Sequence, residues 1–489
     1  MIKKILFLLT PSERKRAGLL LLMILIMALL DTIGVASILP FIAVLTNPEL
    51  IETNFILNNM YHAVGFLGVD NNQKFLLFLG IFVLVLLVFS LIFKSLTIYV
   101  QARFVEMREY SIGKKLVEGY LHQPYSWFLS RHSADIGKTI LSEVQQVILG
   151  VIQPMFELIA KGIVAVAIIT LLMITDFKLA LIVGFSFSLA YGLIYKYTQK
   201  YLKQIGKRRL HNNQLRFTTL SEAFGAAKEV KVGGLEKTYI DKFSNSAYIY
   251  AQSQSSLKIL SQIPRHAIEV MAFGGIMFII LYLMIKFGNF DTALPLVSLY
   301  VLAGYRLMPA FQSIYLSFTN LTYNSPAIDK LYDDIKSLEP FELNQDQNII
   351  SLKKSISLKD INFNYPDTKQ TSLKNININI QAKTTVGLIG PTGSGKTTTV
   401  DIILGLLEAQ KGTLEIDGLV ITKKNIRAWQ KSIGYVPQNI YLSDDTISAN
   451  IGFGIPTNDI NKESIERAAK IANIHDFIIN ELPKKYETT

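Results

Sequence analysis

The sequence predicts a two-part membrane protein: an all-α domain of six spans, residues 1–344, then an α/β domain built around a glycine-rich loop, residues 345–489. Three observations carry that reading. Six long apolar stretches crowd the first part. Basic residues alternate between the connections that join them. The second part turns to short β-rich runs on either side of Gly390-Pro391-Thr392-Gly393-Ser394-Gly395-Lys396-Thr397-Thr398.

The composition narrows the class first. Half of the 489 residues are hydrophobic and 18% are charged, which excludes a largely disordered chain. The absence of cysteine excludes disulfides, thiolate metal sites and cysteine nucleophiles. The six histidines have no ligand spacing such as HxxxH, so no histidine metal site is expected. Most of the net charge of +11 belongs to the apolar part. Residues 1–344 hold 32 basic and 23 acidic residues, and residues 345–489 hold 17 and 15.

A span needs about 20 mostly apolar residues. The stretches 17–45, 75–99, 147–175, 178–197, 267–287 and 292–318 approach this. The second is free of charge from Phe75 to Phe93, and Asp31 alone interrupts the first. Buried helices of a soluble fold are the alternative, but six such runs are too many for one aqueous core. The N-terminus carries Lys3, Lys4, Arg14, Lys15 and Arg16. The connection 46–74 has one basic residue, 100–146 has six, 198–266 has twelve and 288–291 has none. This is the positive-inside pattern. It predicts a multi-pass protein of the cytoplasmic membrane with both termini and both long connections in the cytoplasm, and it explains the positive charge without nucleic acid. The opening MIKKILFLLTPSERKR lacks the apolar length and cleavage site of a secretory signal, and reads as an amphipathic helix on the inner surface. Helix-like apolar spacing at 136–152 and 214–231 makes the long connections helical extensions, with a turn at Gly233-Gly234.

In the second part, SISLKDINFNY, SLKNININI, KTTVGLIG, GTLEIDGLVI and SIGYVP read as strands. Residues 390–397 match GxxxxGK[ST], with Val386-Gly387-Leu388-Ile389 as the expected strand before it and Thr397 to Leu407 as the expected helix after it. Glycines let successive N–H groups curl toward phosphate oxygens, and the helix N-terminus adds partial positive charge. Lys396 is expected to reach the β- and γ-phosphates, and the Thr397 hydroxyl to hold Mg2+. Tyr365, 25 residues before Gly390, is placed to stack on adenine; the plainer reading is a half-buried strand residue. Gln438, 42 residues after Lys396, is placed to touch Mg2+ or the attacking water; the plainer reading is a polar loop residue.

Six spans with long cytoplasmic connections, then Tyr365, GPTGSGKTT and VPQ, resemble an ABC exporter half-transporter over essentially the whole chain. The resemblance implies a six-helix exporter domain followed by a P-loop nucleotide-binding domain, ATP with Mg2+, and a homodimer. In the family each ATP lies between one chain's phosphate loop and the other chain's LSGGQ segment. The resemblance also implies short coupling helices near Ser133–Gly137 and Phe224–Lys231. The segments YRLMPAFQSIYLSF (305–318) and IGYVPQNIYLSDDTISANIGFG (433–454) are similar to bacterial flippases of lipid-linked oligosaccharides and to polysaccharide exporters. They imply ATP-driven flipping of a lipid-linked oligosaccharide or related anionic lipid. Export of other lipids, drugs or peptides is the alternative within the family. The sequence departs from the family in having no LSGGQ, no Walker B aspartate, no catalytic glutamate and no switch histidine. No catalytic residue is therefore assigned, and the chain by itself is not expected to hydrolyse ATP. A sheet cut in mid-fold would expose strand edges, so the domain is expected to be C-terminally incomplete. A non-hydrolysing nucleotide-binding membrane module is the alternative.

Ionisable groups inside spans are functional candidates. Arg306 lies 14 residues into the sixth span from Thr292, about 21 Å deep at the helical rise. Lys94 and Arg265 lie at the inner ends of the second and fifth spans. Together the three would suit a pyrophosphate head group. Snorkelling of Lys94 and Arg265, and pairing of Arg306 with Asp31 or Glu269, are the plainer readings. Glu157 and Lys161, four residues apart, are expected to pair. Ile56, Leu57, Met60, Tyr61 and Val64 form an outer apolar stripe, which would lie on the membrane surface or pack on the span tops.

Overall fold

A computed structural model describes residues 1–65, 69, 71–287, 290–340, 348–365, 371–438 and 440–489. The expected domain boundary at 344 and part of the connection 288–291 lie outside the described residues. The chain divides into two compact units, Met1–Leu343 and Asn344–Thr489.

The first unit is helical. Helix α1 (Ile2–Leu8) buries Ile5 and Leu8, and Lys4 pairs with Asp329 at 2.7 Å. Helix α2 (Pro11–Ala36) starts at a reciprocal cap. The Glu13 N–H donates to the Thr10 hydroxyl, and the Glu13 carboxylate accepts the Thr10 N–H at 2.8 Å. Helix α3 (Ile38–Thr46) continues the same span. The short helices α4 (Leu50–Thr53) and α5 (Phe55–Ala63) follow outside it. The outer stripe divides: Leu57 is buried with Met60, Tyr61 and Val64 against Phe75 and Leu79, while Ile56 is exposed.

Helix α6 (Asn72–Leu121) has 50 residues, about 75 Å at the usual rise. It therefore outruns a hydrocarbon core of about 30 Å and supplies the extension expected of the first long connection. Helices α7 (Tyr125–Leu129) and α8 (Ser133–Lys138) lead into a continuous helical run. There the π-turns Thr139–Glu143 and Ile148–Ile152 flank α9 (Val144–Val147), before α10 (Gln153–Thr175). The second π-turn precedes Pro154. Proline has no N–H and its ring crowds the carbonyl four residues back, so a wider turn relieves the strain. Helix α11 (Phe177–Gly225) ends at a break, short α12 (Ala227–Val232) follows, and α13 (Glu236–Phe287) and α14 (Phe290–Ser337) complete the unit. The expected helix 214–231 is thus split at Ala226.

Among the described residues, Pro11–Thr46, Asn72–Leu121, Ser133–Thr175 and Ala180–Gly225 are long and apolar enough to cross a membrane. The fifth and sixth expected spans fall on α13 and α14, where several side chains lie outside the described residues. One core joins α1, α2, α6, α9, α10 and α14 through Leu20, Ile112, Val147, Phe156 and Ile328. A second joins α10, α11 and α14 through Ile168, Tyr191 and Leu307.

In the second unit, β1 (Ser355–Phe363), β2 (Leu373–Gln381), β3 (Lys411–Ile416) and β4 (Leu419–Val420) form an antiparallel sheet in the order β2-β1-β3-β4. Leu358, Ile361, Leu373, Ile402 and Trp429 close its core. Two sequence expectations are corrected. The runs around Val386–Ile389 and Ile433–Pro437 are not strands. Among the described residues they have no neighbouring strand, and an extended run without one makes no ladder. The helix after the loop, α15 (Lys396–Ile403), stops four residues earlier than expected. Gly405 takes φ +67°, the Leu406 N–H bonds the Asp401 carbonyl at 2.8 Å, and the Gly405 N–H bonds that of Ile402 at 2.9 Å. This is a Schellman stop, which favours glycine because the backbone is left-handed there. Helices α16 (Ile426–Gln430), α17 (Ile447–Ile451), α18 (Lys462–Ile471) and α19 (His475–Asn480) complete the unit.

Candidate functional site

The loop 390–395 opens α15. Gly393 and Gly395 take φ +82° and +85°, values that carry a strain penalty for other residues. A Cβ at Gly395 would also lie 2.5 Å from Leu373 Cδ2, so both conformation and space demand glycine. The Lys396 ammonium donates to the carbonyls of Gly390 at 2.7 Å and Pro391 at 2.8 Å. The cation is thereby folded over the curve of its own loop. Thr397 is exposed on the first helical turn, with Thr398 and Thr399 buried behind it. The Tyr365 hydroxyl meets the Thr398 hydroxyl at 3.0 Å, and its ring packs edge-on against Phe363 with centroids 5.1 Å apart. The end of β1 and the start of α15 are thus tied directly, with Tyr365 half-buried beside the loop.

Gln438 is exposed, and among the described residues no hydrogen bond joins it to the loop. The fold therefore ties Tyr365 to the helix start that carries Lys396, Thr397 and Thr398, and makes no such tie to Gln438 among the described residues. Thr397 offers an accessible hydroxyl of the kind that binds Mg2+ beside a phosphate.

A second constellation lies within the spans. Asp31 of α2 is 5% exposed. Its carboxylate accepts from the Ser90 hydroxyl at 3.1 Å and faces Lys94 at 3.4 Å, both on α6, and Arg306 of α14 at 3.5 Å. Three spans meet on one buried charge. Arg265 is not part of this group: it is exposed and pairs with Glu269 one turn along α13, at 2.8 Å. The expected grouping of Lys94, Arg265 and Arg306 is corrected to Lys94 and Arg306 around Asp31. The Glu157–Lys161 pair is corrected too, because Glu157 accepts from the Gln153 amide at 3.0 Å, one turn the other way.

A third group lies deeper in the helical bundle. Arg209 of α11 is buried against Glu143 at 2.9 Å, and Asn213 donates to the same carboxylate at 2.8 Å. The buried Glu143 carboxylate is thus shared by two side chains of α11, while Arg209 Nε and Nη2 are buried without a hydrogen-bond partner among the described residues, and the group makes a cross-helix tie.

Comparison with known families places these features. An ABC transporter model matches residues 373–488, and an ABC transporter transmembrane region model matches residues 60–302. The chain is 27% identical over 359 residues to ABC transporter B family member 29, chloroplastic, of Arabidopsis thaliana, covering 73% of this chain and 56% of that protein. It is 27% identical over 380 residues to the ATP-dependent lipid A-core flippase of Wigglesworthia glossinidia brevipalpis, covering 76% and 63%. The chain thus spans about six-tenths of the length of these relatives. Its fold matches a bacterial Atm1-family ABC exporter with ATP bound, with a TM-score of 0.72 and 18% identity, over 97% of this chain and 79% of that one. With a phosphate loop at the head of α15, long apolar helices before it, and family models over both parts, the chain belongs to the ABC transporters, joining a transmembrane region to a nucleotide-binding region.

Proposed function

We propose that the protein uses ATP to flip or export a lipid with an anionic head group, such as a lipid-linked oligosaccharide, across the cytoplasmic membrane, acting as a homodimer. The observation that carries this reading is the joint presence, in one chain, of a phosphate loop and a multi-helix cationic group inside the spans. The lipid A-core flippase among the relatives supports a lipid cargo.

In this reading, the Lys396 ammonium leaves the Gly390 and Pro391 carbonyls for the β- and γ-phosphates. The N–H groups of 393–398 hold the phosphate oxygens, and Tyr365 stacks on adenine. Thr397 would hold Mg2+, with Gln438 approaching as the domains close, and the ion would supply neutralisation of phosphate charge. Closure of two nucleotide-binding domains on ATP is passed to the spans through the helical extensions at α8 and α12. Lys94 and Arg306 receive the head group from the inner leaflet. Arg265, exposed on α13 and paired with Glu269 rather than with Asp31, contributes less.

The test is ATP-dependent flipping of a polyprenyl-pyrophosphate glycolipid in proteoliposomes, using the protein with a nucleotide-binding domain of the relatives' full length. Arg306→Gln with Lys94→Gln is expected to lower the rate by about tenfold or more, the usual scale for losing charged phosphate contacts. An unchanged rate would favour export of another lipid, a drug or a peptide.

A further inference from the structure

Helix α13 runs from Glu236 to Phe287 with Pro264 inside it. Proline has no N–H, so the Leu260 carbonyl, four residues back, loses its partner along the helix. Tyr315 of α14 replaces that partner: its hydroxyl donates to the Leu260 carbonyl at 3.0 Å. Tyr315 is buried, and its ring packs against Tyr191 of α11 with centroids 5.3 Å apart. A carbonyl left without a donor between packed helices is costly, and one side chain of a neighbouring helix removes that cost.

Pro264 also divides α13 into two parts. Before it, residues 236–263 form an arm about 42 Å long at the usual rise. The short helix α12 precedes this arm, across the Gly233-Gly234 turn. After it comes the fifth expected span, 267–287. Helix α14 grips the arm a second time: the Tyr323 hydroxyl donates to the Gln254 side-chain carbonyl at 3.0 Å, and Leu257 and Leu260 pack beside Tyr323. The Tyr323 bond joins two side chains, which can follow each other through rotamer changes. The Tyr315 bond instead fixes backbone, at the one turn that the proline has loosened.

We propose that Pro264 is a hinge between the arm and the span of α13, and that the Tyr315 hydroxyl is the latch that holds the arm against α14. Proline is a usual site of helix bending. A bend of about 10° at Pro264 carries the arm's far end, beside α12, through about 7 Å. The hinge gives α12 room to move while the span stays packed. Its use in transport rests on the reading of α12 as an element that passes domain closure to the spans, and it serves any cargo.

The test is amide hydrogen exchange of the chain in nanodiscs, without nucleotide or cargo, in the wild type, Tyr315→Phe, Pro264→Ala and the double variant. Tyr315→Phe keeps the ring and removes the latch. Pro264→Ala returns an N–H to the Leu260 carbonyl. Tyr315→Phe is expected to speed exchange at 261–263 and 265–267 by about fivefold, the scale of one hydrogen bond, and to leave 242–258 unchanged. In the Pro264→Ala background the same substitution is expected to change exchange by less than about twofold. If Pro264→Ala does not fold, Pro264→Ser supplies the same N–H and carries the same expectation. An equal rise in both backgrounds makes Tyr315 an ordinary packing contact and overturns the latch, as does no rise in either. A rise spread along 242–258 is fraying of the arm and overturns the hinge. With neither ATP nor lipid present, these outcomes are separate from failure of the transport reading, which the flipping assay registers.

Discussion

Single residues decide the phosphate loop. At Gly395, alanine would have to hold a left-handed φ and sit 2.5 Å from Leu373. Gly395→Ala is expected to destabilise the second unit by about 1–3 kcal/mol and to abolish ATP binding, as read by thermal melting and nucleotide titration. Asp417 is a quieter anchor. Its carboxylate accepts the N–H groups of Lys353, Lys354 and Ser355 at 2.6–2.9 Å. Partial desolvation pulls its pKa up, but these bonds and the Lys354 charge outweigh that and hold it below the usual carboxylate value. A depressed folded pKa adds stability above the unfolded value, and that stability is lost as pH falls through the folded value. Asp417→Asn is therefore expected to lower the melting temperature at neutral pH and leave little difference at strongly acid pH. A deficit that persists into acid would contradict this.

At this scale the sequence was most legible where chemistry and spacing coincide. GPTGSGKTT named its own geometry, and Lys396 is found over the loop. The partner of Glu157 was illegible because residue spacing allows a pair without choosing one: Glu157 can reach forward to Lys161 or back to Gln153, and rotamer and packing choose Gln153. The Asp31–Ser90 bond joins residues 59 apart, and only the rotation of two packed helices brings them together.

Elements were legible wherever periodicity and caps agreed. The alternation of SISLKDINF is β1, whereas the opening 1–16, read as one amphipathic helix, breaks after Leu8, and the Thr10–Glu13 cap starts α2 at Pro11. The runs at 386–389 and 433–437 show the limit. Apolar β-branched sequence records a preference for burial in a sheet, whereas a strand exists only beside another strand; Ile389 is left 98% exposed. The π-turns in the run before α10 were also beyond reach: Pro154 accounts for the second, and nothing in the sequence marks the first. The tie between that run and α11 carries a prediction. Glu143→Ala leaves Arg209 buried without its counter-charge, which costs about 3–5 kcal/mol. Thermal unfolding of the first unit should shift accordingly, and Glu143→Ala with Arg209→Leu should recover much of the loss. A neutral single variant would show the tie to be dispensable.

For the whole molecule, a unit of long helices and a sheet-bearing phosphate-loop unit follow from apolar length, charge alternation and one motif. In the proposed function the Lys396 loop serves nucleotide phosphates and the Asp31 group a charged cargo. Neither group alone makes a transporter, and coupling between them is the central claim. The most direct measurement is ATP-dependent flipping of a fluorescent polyprenyl-pyrophosphate glycolipid in proteoliposomes by the protein at its relatives' length, with and without Lys396→Ala. The account predicts loss of nearly all ATP-dependent flipping, on the order of a hundredfold, with cargo binding retained. Flipping undiminished by Lys396→Ala would contradict it.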